Sequence, residues 1–270
     1  ALSEFFVAVE LNYFYPKAHY HIGETLAKLE KNVEAAQAFE IATSMAPGMT
    51  KAHKWLIDIY KNRLNESEKA VTHENFIKDN IKGEIIIVSG LPRSGTSMMM
   101  QILDKGGYDV LTDKVREPDN NNPKGYYEFE PVKKLMMDKS WLPEGKAVKI
   151  IAQLLPFLPS NYDYKIIFMR REMSEVLKSQ QIMLGKEGDV KSKVFPTGLN
   201  DAFQKQLVKV ENWIDSQPNV EMLSVDYSNV IANAEDEIDN IISFLAGPGD
   251  KNKMIGVVDK SLYRNKNEKT

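Results

Sequence analysis

The stretch Glu84-Ile85-Ile86-Ile87-Val88-Ser89-Gly90-Leu91-Pro92-Arg93-Ser94-Gly95-Thr96-Ser97-Met98 constrains the fold more than any other part of the chain. Its run of β-branched residues reads as a strand buried on both faces, as in parallel sheets covered by helices. Gly90 permits a tight turn, Gly95 lets the backbone come close to a ligand, and Thr96-Ser97 opens a helix expected to run through Leu103. Strand, loop and helix start together make an anion cradle, because free N–H groups and the positive end of the helix dipole point at one spot. Arg93 adds a cationic fork inside the loop.

The spacing of Gly90 and Gly95 is that of a nucleotide-binding G-x-x-x-x-G loop, but Thr96 stands where such a loop carries lysine. A kinase or ATPase without that lysine lacks its contact to the outer phosphates. A second strand-to-helix segment follows: Tyr164-Lys165-Ile166-Ile167-Phe168-Met169-Arg170-Arg171, then Glu172-Met173-Ser174-Glu175-Val176-Leu177-Lys178-Ser179. Here Arg171 offers a bidentate grip on phosphate, and Ser179 supplies a hydroxyl about two helical turns further on. Taken as plain structure, Arg170 and Arg171 would cap the strand end and pair with Glu172 or Glu175.

These residues carry a resemblance. The loop Gly90-Leu91-Pro92-Arg93-Ser94-Gly95-Thr96 resembles the 5′-phosphosulfate loop of sulfotransferases that use 3′-phosphoadenosine 5′-phosphosulfate (PAPS), in the Arg version of the bacterial and tyrosylprotein enzymes. Arg171, Glu175, Val176 and Ser179 match the same family's second motif, whose Arg and Ser hold the 3′-phosphate. The resemblance implies that Arg93, Ser94, Gly95, Thr96, Ser97, Arg171 and Ser179 bind PAPS and its product PAP, with Arg93 also acting in catalysis and no metal required. The Arg-Lys-Gly stretch that cytosolic members place on the 3′-phosphate is absent; Arg264 or Lys260 is read either as its substitute or as a surface charge.

Members that use imidazole as the base carry a His after a Lys on the next strand, but the matching stretch 148–153 holds Lys149 and no His. All four histidines (His19, His21, His53, His73) precede this domain. The polar segment 113–128, with its Asn122-Pro123-Lys124-Gly125-Tyr126-Tyr127-Glu128, resembles a loop of related bacterial enzymes. The resemblance, through its heparan and tyrosylprotein branches, implies a carboxylate as the base, with Glu128 first and Glu117 second; taken as plain structure, each is a solvated loop acid or a partner for Arg116 or Lys124. Tyr126 and Tyr127 are read as acceptor-pocket lining or core, and Lys149 as facing the sulfonate. The stretch 185–198 reads as a lid over the acceptor or as plain loop.

The first quarter of the chain repeats. Ala1, Phe5 and Ala8 return as Ala35, Phe39 and Ala42, a period of 34 residues, and 16–49 reads as one complete unit. His19, Ile22, Gly23 and Leu26 line its first helix, Pro47 closes it, and Ala52, Leu56 and Tyr60 open the next. The small Gly23 and Ala35 let two helices approach while Phe39 fills the gap. This resembles the tetratricopeptide family and implies a protein partner or a carrier-bound acceptor. Ala1 already lies inside the pattern, as in a fragment of a longer array.

The expected architecture is α/β: a three-layer, P-loop-like domain with a mostly parallel sheet over 83–270, preceded by an all-α helical repeat module over 1–63 and a linking helix over 64–82. A net charge of −3 excludes a global attraction to nucleic acid or anionic lipid. The absence of cysteine removes disulfides, thiolate metal sites and a thiol nucleophile, and suits a reducing, cytoplasmic setting. No apolar run is long enough to cross a bilayer. Two rivals remain open at this stage. One is a P-loop kinase, marked by ATP with Mg²⁺, and the other a non-catalytic interaction protein, marked by binding neither nucleotide.

Overall fold

The computed structural model describes residues 2–113, 115–117, 119, 122, 125–186, 198–247 and 249–259. Ala1, Lys260 and Arg264 lie outside the described residues, as do most of the expected lid and Asn120, Asn121, Pro123 and Lys124 of the polar loop. The chain divides into two compact units. One is Ala1–Gly83 with Ser160–Asp163 and Ser216–Asn219, and the other holds the rest.

The first unit is helical: α1 (Leu2–Leu11), α2 (Pro16–Lys28), α3 (Asn32–Met45), α4 (Thr50–Asp58) and α5 (Ser67–Asn80), each packed on the next. Pro16 starts α2, where its missing N–H costs nothing and its fixed φ suits a first turn. A π-helical turn, Ile59–Arg63, extends α4. The core is built on small residues: Ala35, Ala42 and Ala52 are fully buried around Phe39, Leu56 and Ile59. Gly23 is the closest of these fits, since a Cβ there would lie 2.7 Å from the Phe39 ring. The helix expected as a linker, α5, packs on α4 through the stacked rings of Phe76 and His53.

The second unit is an α/β layer structure. Its strands are β1 (Glu84–Gly90), β2 (Val110–Leu111), β3 (Ala147–Lys149), β4 (Asp163–Arg170) and β5 (Val220–Asp226), in sheet order β2-β3-β1-β4-β5. The pairs β1/β3, β2/β3 and β4/β5 are parallel. Flanking helices are α6 (Thr96–Lys105), α7 (Met173–Lys186), α8 (Leu199–Ser216), α9 (Tyr227–Ala232), α10 (Ala234–Leu245) and α11 (Lys251–Ile255). Ile85, Ile87, Val88, Ile166 and Ile167 are fully buried, which accounts for the unbroken apolar runs of the two central strands. Met99, Met100, Ile102 and Leu103 of α6 meet Ile238 and Ile241 of α10 in one core cluster. The strand that carries Lys149 ends at that residue, as expected, and is followed by a 3-10 segment, Ala152–Phe157. The two-residue β2 was not foreseen. Two residues are too few to show a period.

Candidate active site

β1 ends in Gly90 at φ 149°, and the loop that follows reaches α6 through Arg93 at φ 70° and Gly95 at φ 102°. A side chain at Gly90 would strike the Ser94 hydroxyl and the Met169 carbonyl, and one at Gly95 would strike Tyr227, so the loop can close this tightly only with glycine at both places. Arg93 holds the left-handed conformation despite its Cβ, at a cost of about 1 kcal/mol or more that the surroundings must offset. The first intrahelical bond of α6 runs from the Met99 N–H to the Gly95 carbonyl. The N–H groups of Thr96, Ser97 and Met98 therefore have no intrahelical acceptor, as at any helix start.

The second motif arrives on the far side of the sequence and meets the first. Arg93 donates through Nε to the Ser179 hydroxyl at 2.9 Å. Arg171 donates through Nη1 to the Arg93 carbonyl at 3.2 Å, and through Nε to Glu175 at 2.9 Å. The Arg171 guanidinium also lies over the Tyr227 ring, 4.5 Å from its centroid. Thus Ser179 is engaged by the loop arginine, and Arg171 pairs with Glu175, its neighbour one helical turn on. Arg170, by contrast, turns away to Glu211 and the Ser224 hydroxyl.

On the other side of β1, Lys149 at the end of β3 donates to the Tyr126 carbonyl and approaches the Ser97 hydroxyl at 3.4 Å. Ser97 donates to the same carbonyl at 3.1 Å. Glu128 stands 3.7 Å from Lys149 and 3.2 Å from Arg116, so the structure brings this carboxylate to the helix start between two cations. Arg116 stacks on Tyr126, 3.6 Å from the ring centroid, and the Tyr126 hydroxyl donates to Asp119 at 2.8 Å. Tyr127 sits at φ 51° and is tied through its hydroxyl to Asp104 of α6. Glu117 is exposed, and no side-chain partner for it occurs among the described residues.

The electrostatics agree with an anion site. Burial lowers the Arg93 pKa; the Arg171 and Arg116 charges push the same way, against the opposing pull of Tyr126 and Asp119. Burial likewise brings Lys149 down to about 8, with Glu128 opposing and Arg116 adding to the shift. Cations held at a disadvantage beside an open helix start are the complement of a phosphate or sulfonate. A buried Ser94 hydroxyl without a hydrogen-bond partner adds an orphaned donor in the same loop. The donor set therefore fits a phosphate or sulfonate group at the start of α6. Among the described residues no group of three or more His, Asp and Glu is arranged to hold a metal ion.

Sequence reasoning did not single out Tyr227 or Asp119 as parts of this arrangement; Arg116 it named only as a partner for the loop carboxylates, and Arg116 does pair with Glu128. For Tyr227 a signal existed: an aromatic residue directly after a strand, in register with the residue after Arg170. The bends that bring Arg116 and Asp119 close have no period to betray them.

Comparison with curated proteins gives no match. Residues 84–270, more than half of the chain, match the family model described as the sulfotransferase domain. The chain belongs to the sulfotransferase domain family.

Proposed function

We propose that the chain transfers a sulfuryl group from PAPS to a hydroxyl or amine acceptor, as a bacterial-type enzyme with the Arg form of the phosphosulfate loop. The observation that carries the donor assignment is the junction of the two anion motifs, in which Arg93 bonds Ser179 while Arg171 bonds the Arg93 carbonyl beside the start of α6. PAPS supplies a sulfuryl group already bonded to a good phosphate leaving group. The N–H groups of Thr96, Ser97 and Met98, with the Ser94 hydroxyl, hold the 5′-phosphosulfate, and Arg93 neutralises charge on the leaving oxygen. Arg171 and Ser179 take the 3′-phosphate and so exclude ATP, with Arg264 as a further contact. Lys149 faces the transferring sulfonate. Glu128 receives the acceptor proton as the acceptor's bond to sulfur forms and the bond from sulfur to the phosphate oxygen breaks. Glu117, exposed on the same loop, is the second candidate for that role. The scheme routes no step through a metal.

The helices of the first unit are read as tetratricopeptide-like repeats over 1–63, with 64–82 linking to a catalytic domain over 83–270. Their role is to present a protein partner or a carrier-bound acceptor, on the model of stacked helical repeats. The expected compartment is the cytoplasm.

The test is calorimetric titration with PAP, set against ATP with Mg²⁺, for the native chain and Arg171→Ala. Tight binding of PAP, lost in the variant, is the expected result. Binding of ATP in its place would return the domain to the kinases, and silence toward both would leave the helical unit as the working part.

A further inference from the structure

We infer that Asp104 is a positioning residue for the transfer: through the Tyr127 hydroxyl it holds the left-handed bend that keeps the Glu128 carboxylate near Lys149 without letting the two close into a hydrogen-bonded ion pair. The inference rests on the reading of Glu128 as the proton acceptor and extends it to a residue on another element.

Asp104 lies in the last turn of α6. A carboxylate there faces the negative end of the helix dipole, so helix stability gives no reason for it. Its partner does: the Tyr127 hydroxyl donates to Asp104 at 2.8 Å. In the first turn of the same helix, seven positions and about 10 Å away, Ser97 donates to the Tyr126 carbonyl at 3.1 Å. One helix thus carries the anion cradle at its start and holds two successive residues of the Glu128 loop, one near each end.

Between these two anchors the backbone takes φ 51° at Tyr127, a conformation that a bulky residue leaves unless something holds it. The ring packs against the core cluster of the α/β unit. Burial, with the bond to Asp104, pushes the Tyr127 hydroxyl up to about 12, so it remains a donor at neutral pH. The carbonyl of Glu128 is itself fixed, by the Thr112 hydroxyl at 3.0 Å and the Asp113 N–H at 3.2 Å.

With the bend in place, the Tyr126 carbonyl occupies the Lys149 amine, and Glu128 stands off at 3.7 Å, longer than a hydrogen bond. Arg116 pairs with the same carboxylate at 3.2 Å, but its side chain is 39% exposed and water screens the pair. Lys149 is only 10% exposed, so a closed pair with it would be far less screened. Rotation of the 126–127 peptide returns Tyr127 to negative φ and turns the Tyr126 carbonyl away from Lys149. The freed amine then closes on Glu128, and a carboxylate that accepts a hydrogen bond from a buried cation is a weaker proton acceptor. The bond from Tyr127 to Asp104 opposes that rotation. Its loss falls on the proton-transfer step and spares the nucleotide.

The experiment follows release of inorganic sulfate from PAPS with water as the acceptor. The water oxygen bonds to sulfur, its proton passes to Glu128, and the bond from sulfur to the phosphate oxygen breaks to leave PAP. PAP affinity is measured by calorimetry on the same full-length variants. Tyr127→Phe and Asp104→Ala are each expected to lower the turnover number about tenfold, with KM for PAPS and PAP affinity within about twofold of wild type. The double variant should be no slower than either, since both remove one bond. Asp104→Asn keeps an acceptor for the hydroxyl and is expected to retain most of the rate. Full turnover in Tyr127→Phe, an added loss in the double variant, or an equal loss of turnover and PAP affinity overturns the positioning role. Glu128→Gln tells this apart from the reading beneath it. Unchanged turnover there removes the base assignment and the positioning role together, whereas slow turnover there with full turnover in Tyr127→Phe removes the positioning role alone.

If water proves too slow an acceptor to follow, the proton count on PAP binding at pH 8 decides. Lys149, drawn down to about 8 in the native chain, takes up a proton as PAP binds, while in Tyr127→Phe the closed pair keeps it charged beforehand. Buffer-dependent heats should therefore shrink in the variant, and equal uptake in both chains overturns the inference. Wild type that neither binds PAP nor releases sulfate overturns the donor reading itself, and the positioning role with it.

Discussion

The contact between Gly23 and Phe39 lets the packing logic of the helical unit be tested by a cycle of two substitutions. An alanine at Gly23 would place its Cβ 2.7 Å from Cε1 of Phe39 and 2.8 Å from Cδ1 and Cζ, about 1 Å inside a comfortable carbon contact. The ring has nowhere to go. It is fully buried and stacks on Trp55 at 5.7 Å, with Tyr20 at 5.6 Å on another side. Overpacking of this kind costs about 1–3 kcal/mol, while a helical Gly→Ala change returns about 1 kcal/mol. Gly23→Ala alone is therefore expected to destabilise the chain by up to about 2 kcal/mol. Phe39→Ala removes the ring and costs about 3–5 kcal/mol. In that background Gly23→Ala should change sign and stabilise by about 1 kcal/mol, a coupling of about 2 kcal/mol. Urea denaturation followed by Trp55 fluorescence and far-ultraviolet dichroism measures each corner of the cycle. If Gly23→Ala has the same effect in both backgrounds, the ring is not what this glycine accommodates, and the reasoning fails.

Two further outcomes are expected. His53 donates from Nε2 to the Pro47 carbonyl at 3.0 Å and faces His73 through Nδ1 at 2.9 Å, while His73 reaches Glu40 at 3.4 Å and Tyr60 donates to the same carboxylate. Burial lowers the His53 pKa below 6.5, and the neighbouring His73 adds to this against the Pro47 carbonyl and Glu40. The unfolded chain then binds more protons just below that value, so stability should fall as pH drops from about 6.5, and His53→Phe should flatten the urea midpoint over that window. A flat wild-type profile there would refute it. At the other unit, Lys149 is drawn down to about 8 by burial, so at that pH it is half neutral. An arriving phosphate restores its charge, and PAP binding near pH 8 should take up a proton, seen as calorimetric heats that depend on the buffer and lost in Lys149→Met. Heats independent of the buffer would count against a role for this amine.

Much of the α/β unit could be read from the chain because its signals are local. The apolar runs 85–88 and 166–169 need burial on both faces, and only a sheet covered by helices provides it. Gly90 and Gly95 announce a turn that other residues cannot make. The polar loop is different: the approach of Glu128 to Lys149 depends on a left-handed bend at Tyr127 and a bond from Tyr127 to Asp104. Bulky residues rarely take that conformation, so sequence alone argues against it. Arg171 and Ser179 are each read as ligands for phosphate; the pairing of Arg171 with Glu175 follows from their spacing of four and is the plain-structure reading of that segment, whereas the bond from Arg93 to Ser179 is a matter of tertiary distance that no spacing rule announces.

The sheet order also sets a sequence of events. Arg93 and Ser179 are 86 positions apart, and their bond exists only once β1 and β4 lie side by side in the sheet. Pairing across so long a stretch of chain is slow, because its closure entropy is lost before any contact rewards it. The site proposed for a doubly phosphorylated nucleotide therefore cannot precede the central sheet. On that proposal the ligand binds the finished fold alone and stabilises it by mass action. Occupancy of the proposed site would then be a readout of completed folding, and a chain with β1 and β4 misaligned would be silent toward the nucleotide.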